Sequence, residues 1–271
     1  MSATNHPSAI QELLNIMAQL RDPERGCPWD IKQTWQSLLP YTLEETYEVV
    51  DAVDRNDAAA VCDELGDLLL QVVFMAQIAQ EQGLFNFNDI ARGISEKLVR
   101  RHPHVFDATA YATEAEQKQA WEAIKQAERA EKAQTGLFAG IPAAMPALRR
   151  AQKVQKRAAQ VGFDWENWQQ VVPKVHEELD EVAEAVADNE PFTRIEEEMG
   201  DVLLAASNMA RMLGVDAENA LRLSSRKFEK RFERVEQLLA KENLSLEVAT
   251  LAQMDAAWEA AKLEEKAKTQ A

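Results

Sequence analysis

Apolar residues recur at spacings of three and four along 10–20, 43–53, 61–79 and 90–99, which predicts a run of amphipathic helices. A further helix over 114–132 is expected from its Ala, Glu, Gln and Lys content. The same pattern returns over 171–187, 195–213, 217–239 and 254–266. No segment shows sustained strand alternation or a hairpin turn, so the expected fold class is all-α. Several of these helices are apolar around much of their circumference. Each domain is therefore expected to be a four-helix-bundle-like core completed by dimerisation.

The pattern repeats because the sequence repeats. WQSLLPYTLEETYEVVDAV begins at Trp35 and WQQVVPKVHEELDEVAEAV at Trp168. DELGDLLL at Asp63 returns as EEMGDVLL at Glu197, KLVRR at Lys97 as KFEKR at Lys227, and AWEAIK at Ala120 as AWEAAK at Ala257. Four blocks in one order imply a tandem duplication. The Gly- and Pro-bearing stretch TGLFAGIPAAMPAL breaks the helical pattern between the copies. The expected division is an N-terminal domain over 1–134, a linker over 135–148 and a C-terminal domain over 149–271. The basic run 149–157 reads as a solvated connecting helix.

Composition narrows the function. The 271 residues carry 46 Asp and Glu against 30 Lys and Arg, a formal charge of −16. That excludes broad nucleic-acid binding, which needs a basic face. Two cysteines, Cys27 and Cys62, are too few for a disulfide framework and fit a reducing compartment. The opening MSATNHPSAI has neither a basic nor an apolar leader region, and the apolar stretch at 68–79 is too short for a membrane span. A cytoplasmic protein is expected.

The candidate chemistry lies in the repeated acids. Glu44 and Glu48 share one helix face with Glu45 beside them, and Glu64 and Asp67 share a face of the next helix. Their counterparts are Glu177, Glu178 and Glu181, then Glu198 and Asp201. A short connection makes each helix pair antiparallel, so the carboxylates converge. Asp67 and Asp201 each head an apolar stripe, where a carboxylate is costly unless paired or bound to a metal. Oxygen-only donors select Mg²⁺, with Mn²⁺ possible, over Zn²⁺. A di-iron site is excluded, since none of the four His follows a Glu by three.

Lys97 and Arg101, like Lys227 and Arg231, are one turn apart and could contact phosphate or form salt bridges. Trp121 with Lys125, and Trp258 with Lys262, could stack a base and reach phosphate, or pack in the core.

EETYE, DELGD and the Lys/Arg pair, with CPWD at 27–30 upstream and RRHPHVF at 100–106 after, resemble MazG, the all-α nucleoside triphosphate pyrophosphohydrolase family. The resemblance covers both halves. It implies Mg²⁺-dependent cleavage of a nucleoside triphosphate between the α and β phosphates, to a monophosphate and pyrophosphate. It also implies a homodimer, low base selectivity and a house-cleaning role. Glu177, Glu178, Glu181, Glu198 and Asp201 then correspond to metal ligands, with Glu178 or Glu181 as the base. Lys227 and Arg231 correspond to triphosphate contacts, and Trp258 with Lys262 to part of the nucleotide pocket. Glu44, Glu45, Glu48, Glu64, Asp67, Lys97, Arg101, Trp121 and Lys125 take the same roles in the first copy. Family activity is attributed to the second copy, an asymmetry that no missing residue type explains. The alternative is a non-catalytic helical regulator that binds nucleotide or a partner through the same acidic grooves.

Overall fold

The computed structural model describes residues 8–107, 109–131 and 136–269. The described residues are helical with no strand, and they form two compact units, 1–125 and 126–271. The division between units falls inside one helix. The boundary expected at 134–135 lies outside the described residues.

The first unit contains α1 (Ala9–Leu20), the short α2 (Pro28–Lys32), α3 (Trp35–Asp54), α4 (Ala58–Glu81), α5 (Phe87–Arg101), the single turn α6 (Pro103–Phe106) and most of α7 (Glu114–Glu131). Local chemistry sets the starts. Thr34 and Ser37 form a reciprocal capping box on α3, and Asn86 and Asp89 do the same on α5. The Asp57 side chain accepts from the Ala59 and Ala60 amides at the head of α4. Helix α3 begins eight residues before the periodic stretch at 43–53 and runs through Pro40. As the sixth residue of the helix it removes one intrahelical donor and crowds the carbonyl four residues back, yet the helix continues through it.

α3 and α4 pack side by side, and α1 lies on α4. Met17, Leu38, Val73, Phe74 and Ile78 from these three helices form the core of the unit. Arg21, at the end of α1, makes a two-bond ion pair with Glu81 at 2.8 and 2.6 Å and donates to the Asp30 carbonyl. It thereby ties α1, α2 and α4 together.

The second unit contains α8 (Ala147–Ala159), a 3₁₀ turn (Trp168–Gln170), α9 (Val171–Ala187), α10 (Phe192–Met212), α11 (Ala217–Lys241) and α12 (Leu251–Thr269). α9 pairs with α10 as α3 does with α4, and α11 pairs with α12 around Val235, Leu239 and Ala257. The basic run 149–157 is not a solvated connector. It is the body of α8, which packs on α10 and α11 as α1 packs on α4. Gln152 and Gln155 donate from α8 to the carbonyls of Val215 and Leu204 at 2.8 Å. The run reads as charged because its Lys and Arg alternate with the residues that pack.

Both helix pairs turn on the same device. Asn56 and Asn189 hold φ of 53°, the left-handed conformation that asparagine tolerates better than most residues. This reverses the chain within three or four residues and sets the carboxylates of one helix against those of the next.

Candidate active site

In the second unit, Glu178 on α9 and Glu198 and Asp201 on α10 each offer an oxygen within 4.8 Å of the others. The first two are almost fully buried, 6% and 2% exposed, whereas Asp201 is open to solvent. Two buried carboxylates this close repel unless cations compensate. The chain supplies two. Lys174 pairs with Glu178 at 2.9 Å, and Arg194 pairs with Glu198. Each cation sits four residues before its partner on the same helix. The bond to Glu178, then that to Glu177, pushes the Lys174 ammonium upward. Glu177 itself is exposed and accepts from Lys174 at 2.9 Å. Glu181 lies outside the three-oxygen set. Burial, then the charges of Glu198 and Glu178, raise its carboxyl above the ordinary range.

A cleft of about 340 Å³ opens beside these acids. Glu178, Asp201 and Lys174 are among its lining residues, as are Phe138, Phe163 and Trp165. Val154 and Ala158 of α8 and Leu204 and Ala205 of α10 supply aliphatic wall. Asn208 and Arg211 line it as well, with Arg211 donating to Asn208 at 2.8 Å and pairing with Asp164 at 2.5 Å. A cleft of this size with apolar walls and a few fixed polar groups suits a small-molecule ligand. Its aromatic segment at 163–165 lies outside the repeated motifs, and its α8 wall showed in the sequence only as the basic run 149–157.

In the first unit the converging oxygens come from Glu45, Glu48 and Glu64. Burial and then Asp67 push Glu45 upward, and burial and then Glu48 push Glu64 upward. Glu44 and Glu48 line an open groove with Pro40, Leu43, Tyr47 and Asp51.

The basic and aromatic pairs make contacts among themselves. Arg231 and Trp258 belong to the α11–α12 pair, where the guanidinium lies 4.8 Å from the indole centroid and bonds Glu265 at 3.2 and 2.7 Å. Trp258 also meets Phe228 at 5.0 Å and packs on the Val235 core. Lys262 pairs with Glu259 at 2.6 Å, and Lys227 is exposed on α11. None of the four lines the cleft. The first unit repeats the arrangement, with Arg101 and Lys125 each 5.9 Å from the Trp121 ring, Lys125 bonded to Glu122 at 2.8 Å, and Lys97 half-buried on α5. Trp258 thus packs beside the α11–α12 core with an arginine laid on its face.

Oxygen donors at this separation, with no nitrogen or sulfur among them, fit a hard divalent cation. The MazG nucleotide pyrophosphohydrolase domain matches twice, over residues 33–106 and 166–236. The chain is 52% identical over 260 residues, 94% of its length and 98% of the relative's, to a nucleoside triphosphate pyrophosphohydrolase of Escherichia coli (strain K12). It is 46% identical over 254 residues, 93% of its length and 95% of the relative's, to the nucleoside triphosphate pyrophosphohydrolase/pyrophosphatase MazG of Thermotoga maritima. A nucleoside triphosphate pyrophosphohydrolase of Mycolicibacterium smegmatis is 34% identical over 202 residues, which cover 74% of this chain and 61% of that one. The two matched segments contain both acidic clusters and both Lys/Arg pairs, and on this ground the chain belongs to the MazG nucleotide pyrophosphohydrolase family, with its domain present in tandem.

Proposed function

We propose that this chain hydrolyses nucleoside triphosphates, and deoxynucleoside triphosphates by the same chemistry, between the α and β phosphates to a monophosphate and pyrophosphate. The observation that carries the reading is the convergence of Glu178, Glu198 and Asp201, two of which line a cleft shared with aromatic side chains. These three residues would hold Mg²⁺, with Mn²⁺ as a substitute. The bound cation supplies charge neutralisation of the triphosphate and acidifies a nearby water. Glu181, one turn beyond Glu178 and outside the three-oxygen set, takes the proton from the water that attacks the α phosphorus in line. Glu177 stays at the rim and holds Lys174.

Lys227, Arg231 and Lys262 are the proposed cations for the departing pyrophosphate, with Trp258 positioning Arg231. They stand on α11 and α12, and α11 packs on the α10 that carries Glu198 and Asp201; a homodimer is part of the same reading. Support for pairing comes from apolar side chains left exposed, Leu179 and Val186 on α9 and Met199 and Leu203 on α10. Lys97, Arg101, Trp121 and Lys125 hold equivalent places in the first copy. The proposed domains are 1–134 and 149–271 with 135–148 between them, and the proposed location is the cytoplasm. No described helix is long and apolar enough to cross a membrane.

Incubation of the full chain with ATP and Mg²⁺ should yield AMP and pyrophosphate in equal amounts. Unchanged ATP would favour the regulator reading, and ADP with phosphate would point to a different hydrolase.

A further inference from the structure

We propose that Glu265 is a positioning residue for Arg231, gripping one edge of its guanidinium so that the other edge is kept for the departing pyrophosphate. This rests on the pyrophosphohydrolase reading, which supplies the anion, and adds what holds the cation in place.

A guanidinium carries five N–H donors in a rigid fork. Glu265 takes the side edge of Arg231, with Nε donating at 3.2 Å and Nη2 at 2.7 Å. Trp258 lies over one face of the group, 4.8 Å from it. The arginine side chain is only 15% exposed, yet its Nη1 makes no hydrogen bond among the described residues. A donor left unmet in so covered a place costs free energy until an acceptor arrives. The open edge presents two parallel N–H groups, the geometry that phosphate oxygens fit. The bond to Arg231 holds the Glu265 carboxyl below its ordinary range, so the grip stays ionic at neutral pH.

Arg234, three residues on, provides the contrast. Glu264 takes its side edge at 2.7 and 2.9 Å, and Gln237 accepts from its Nη1 at 3.0 Å. Two consecutive glutamates of α12 thus grip two arginines of α11 in the same manner. The protein fills the outer edge of one fork and leaves that of the other open. Arg234 ties α12 to α11, whereas Arg231 is tied and still has donors to give.

The repeat separates the two pairs as well. Setting KLVRRHPH against KFEKRFER, and AWEAIKQAE against AWEAAKLEE, puts Arg101 and Glu128 at the places of Arg231 and Glu265. His104 and Ala127 stand at the places of Arg234 and Glu264. The duplicated chain carries the residue types of the open fork twice and those of the filled fork once.

The test uses the full-length protein carrying Glu265→Gln, Glu264→Gln, Arg231→Ala, or Arg231→Ala with Glu265→Gln. Pyrophosphate release from ATP with Mg²⁺ gives kcat and KM, and added pyrophosphate gives product inhibition. A bond to the leaving group strengthens as its charge develops, so Glu265→Gln should lower kcat about 10- to 100-fold with a smaller change in KM. It should also weaken inhibition by pyrophosphate. Glu264→Gln, which removes an equivalent ion pair, should keep the wild-type kcat. In the Arg231→Ala background Glu265→Gln should cost nothing further. Equal kcat in the two glutamate variants, an undiminished loss in the double variant, or tighter pyrophosphate inhibition in Glu265→Gln would each overturn the assignment. If the wild-type protein releases no pyrophosphate from ATP, the catalytic reading fails, and calorimetry with pyrophosphate and Mg²⁺ decides the rest. Weaker binding in Glu265→Gln than in Glu264→Gln then keeps Glu265 as the residue that presents Arg231, and equal binding overturns it.

Discussion

The two copies place acids at the same five repeat positions on equivalent helix pairs, yet the charge around them differs. In the second copy each buried carboxylate has a cation one turn before it, Lys174 for Glu178 and Arg194 for Glu198. In the first copy those repeat positions hold Tyr41 and Ala60. Without counter-ions, Glu45 and Glu64 face only burial and other acids, and both are pushed upward. The third oxygen also differs, coming from Glu48 in one copy and Asp201 in the other. A cation is therefore met by a compensated, deep site in the second unit and by a repelling, shallow one in the first. Duplication preserved the acidic motif while the positions around it changed.

The widest gap between the copies should appear in turnover. Glu181→Gln should lower kcat about 10²- to 10⁴-fold by removing the proton acceptor, whereas Glu48→Gln should leave kcat near wild type. Equal losses would break the division of labour.

A second contrast tests one repeat position with two jobs. Phe74 is 3% exposed in the first core, so Phe74→Ala should destabilise that unit by about 3–5 kcal/mol in chemical denaturation. Asn208→Ala, at the equivalent place, should cost about 1 kcal/mol and raise KM instead. A large stability loss at Asn208 with unchanged KM would show that the cleft is structural.

Lys174 competes with a cation for Glu178. Because it is partly exposed, Lys174→Met should tighten Mn²⁺ binding at the second cluster by no more than about fivefold. Tyr41→Lys, which builds the missing partner into the first copy, should weaken Mn²⁺ binding there. Opposite signs would mean the cations assemble the site rather than guard it.

The smallest effect concerns the uncompensated acids. A carboxyl whose folded pKa is raised favours folding when protonated, so the first unit should gain stability as pH falls from neutral through the raised values, in chelator. Glu45→Gln should raise Tm by about 1 °C at pH 7 and flatten that pH dependence. A Tm that falls would show that the charge is already satisfied.

Much of this was open to a reader of the residues alone. Helical period, capping residues and the repeat depend on neighbours a few positions apart, so α4, α9 and the five acidic positions of each copy could be placed without coordinates. The start of α3 could not, since Pro40 hides a helix that is already under way. Nor could α8, whose packed face is threaded among basic residues.

What the linear order settled is the all-α class, the duplication and the acidic residues, because helix periodicity turns spacing directly into faces. Folding alone decided which three acids of five converge, that Lys174 and Arg194 pair with two of them, and that Phe163 and Trp165 line a cleft. Those outcomes depend on side chains from separate helices meeting in space, and spacing along one chain carries no record of which neighbour fills a gap and which leaves it empty.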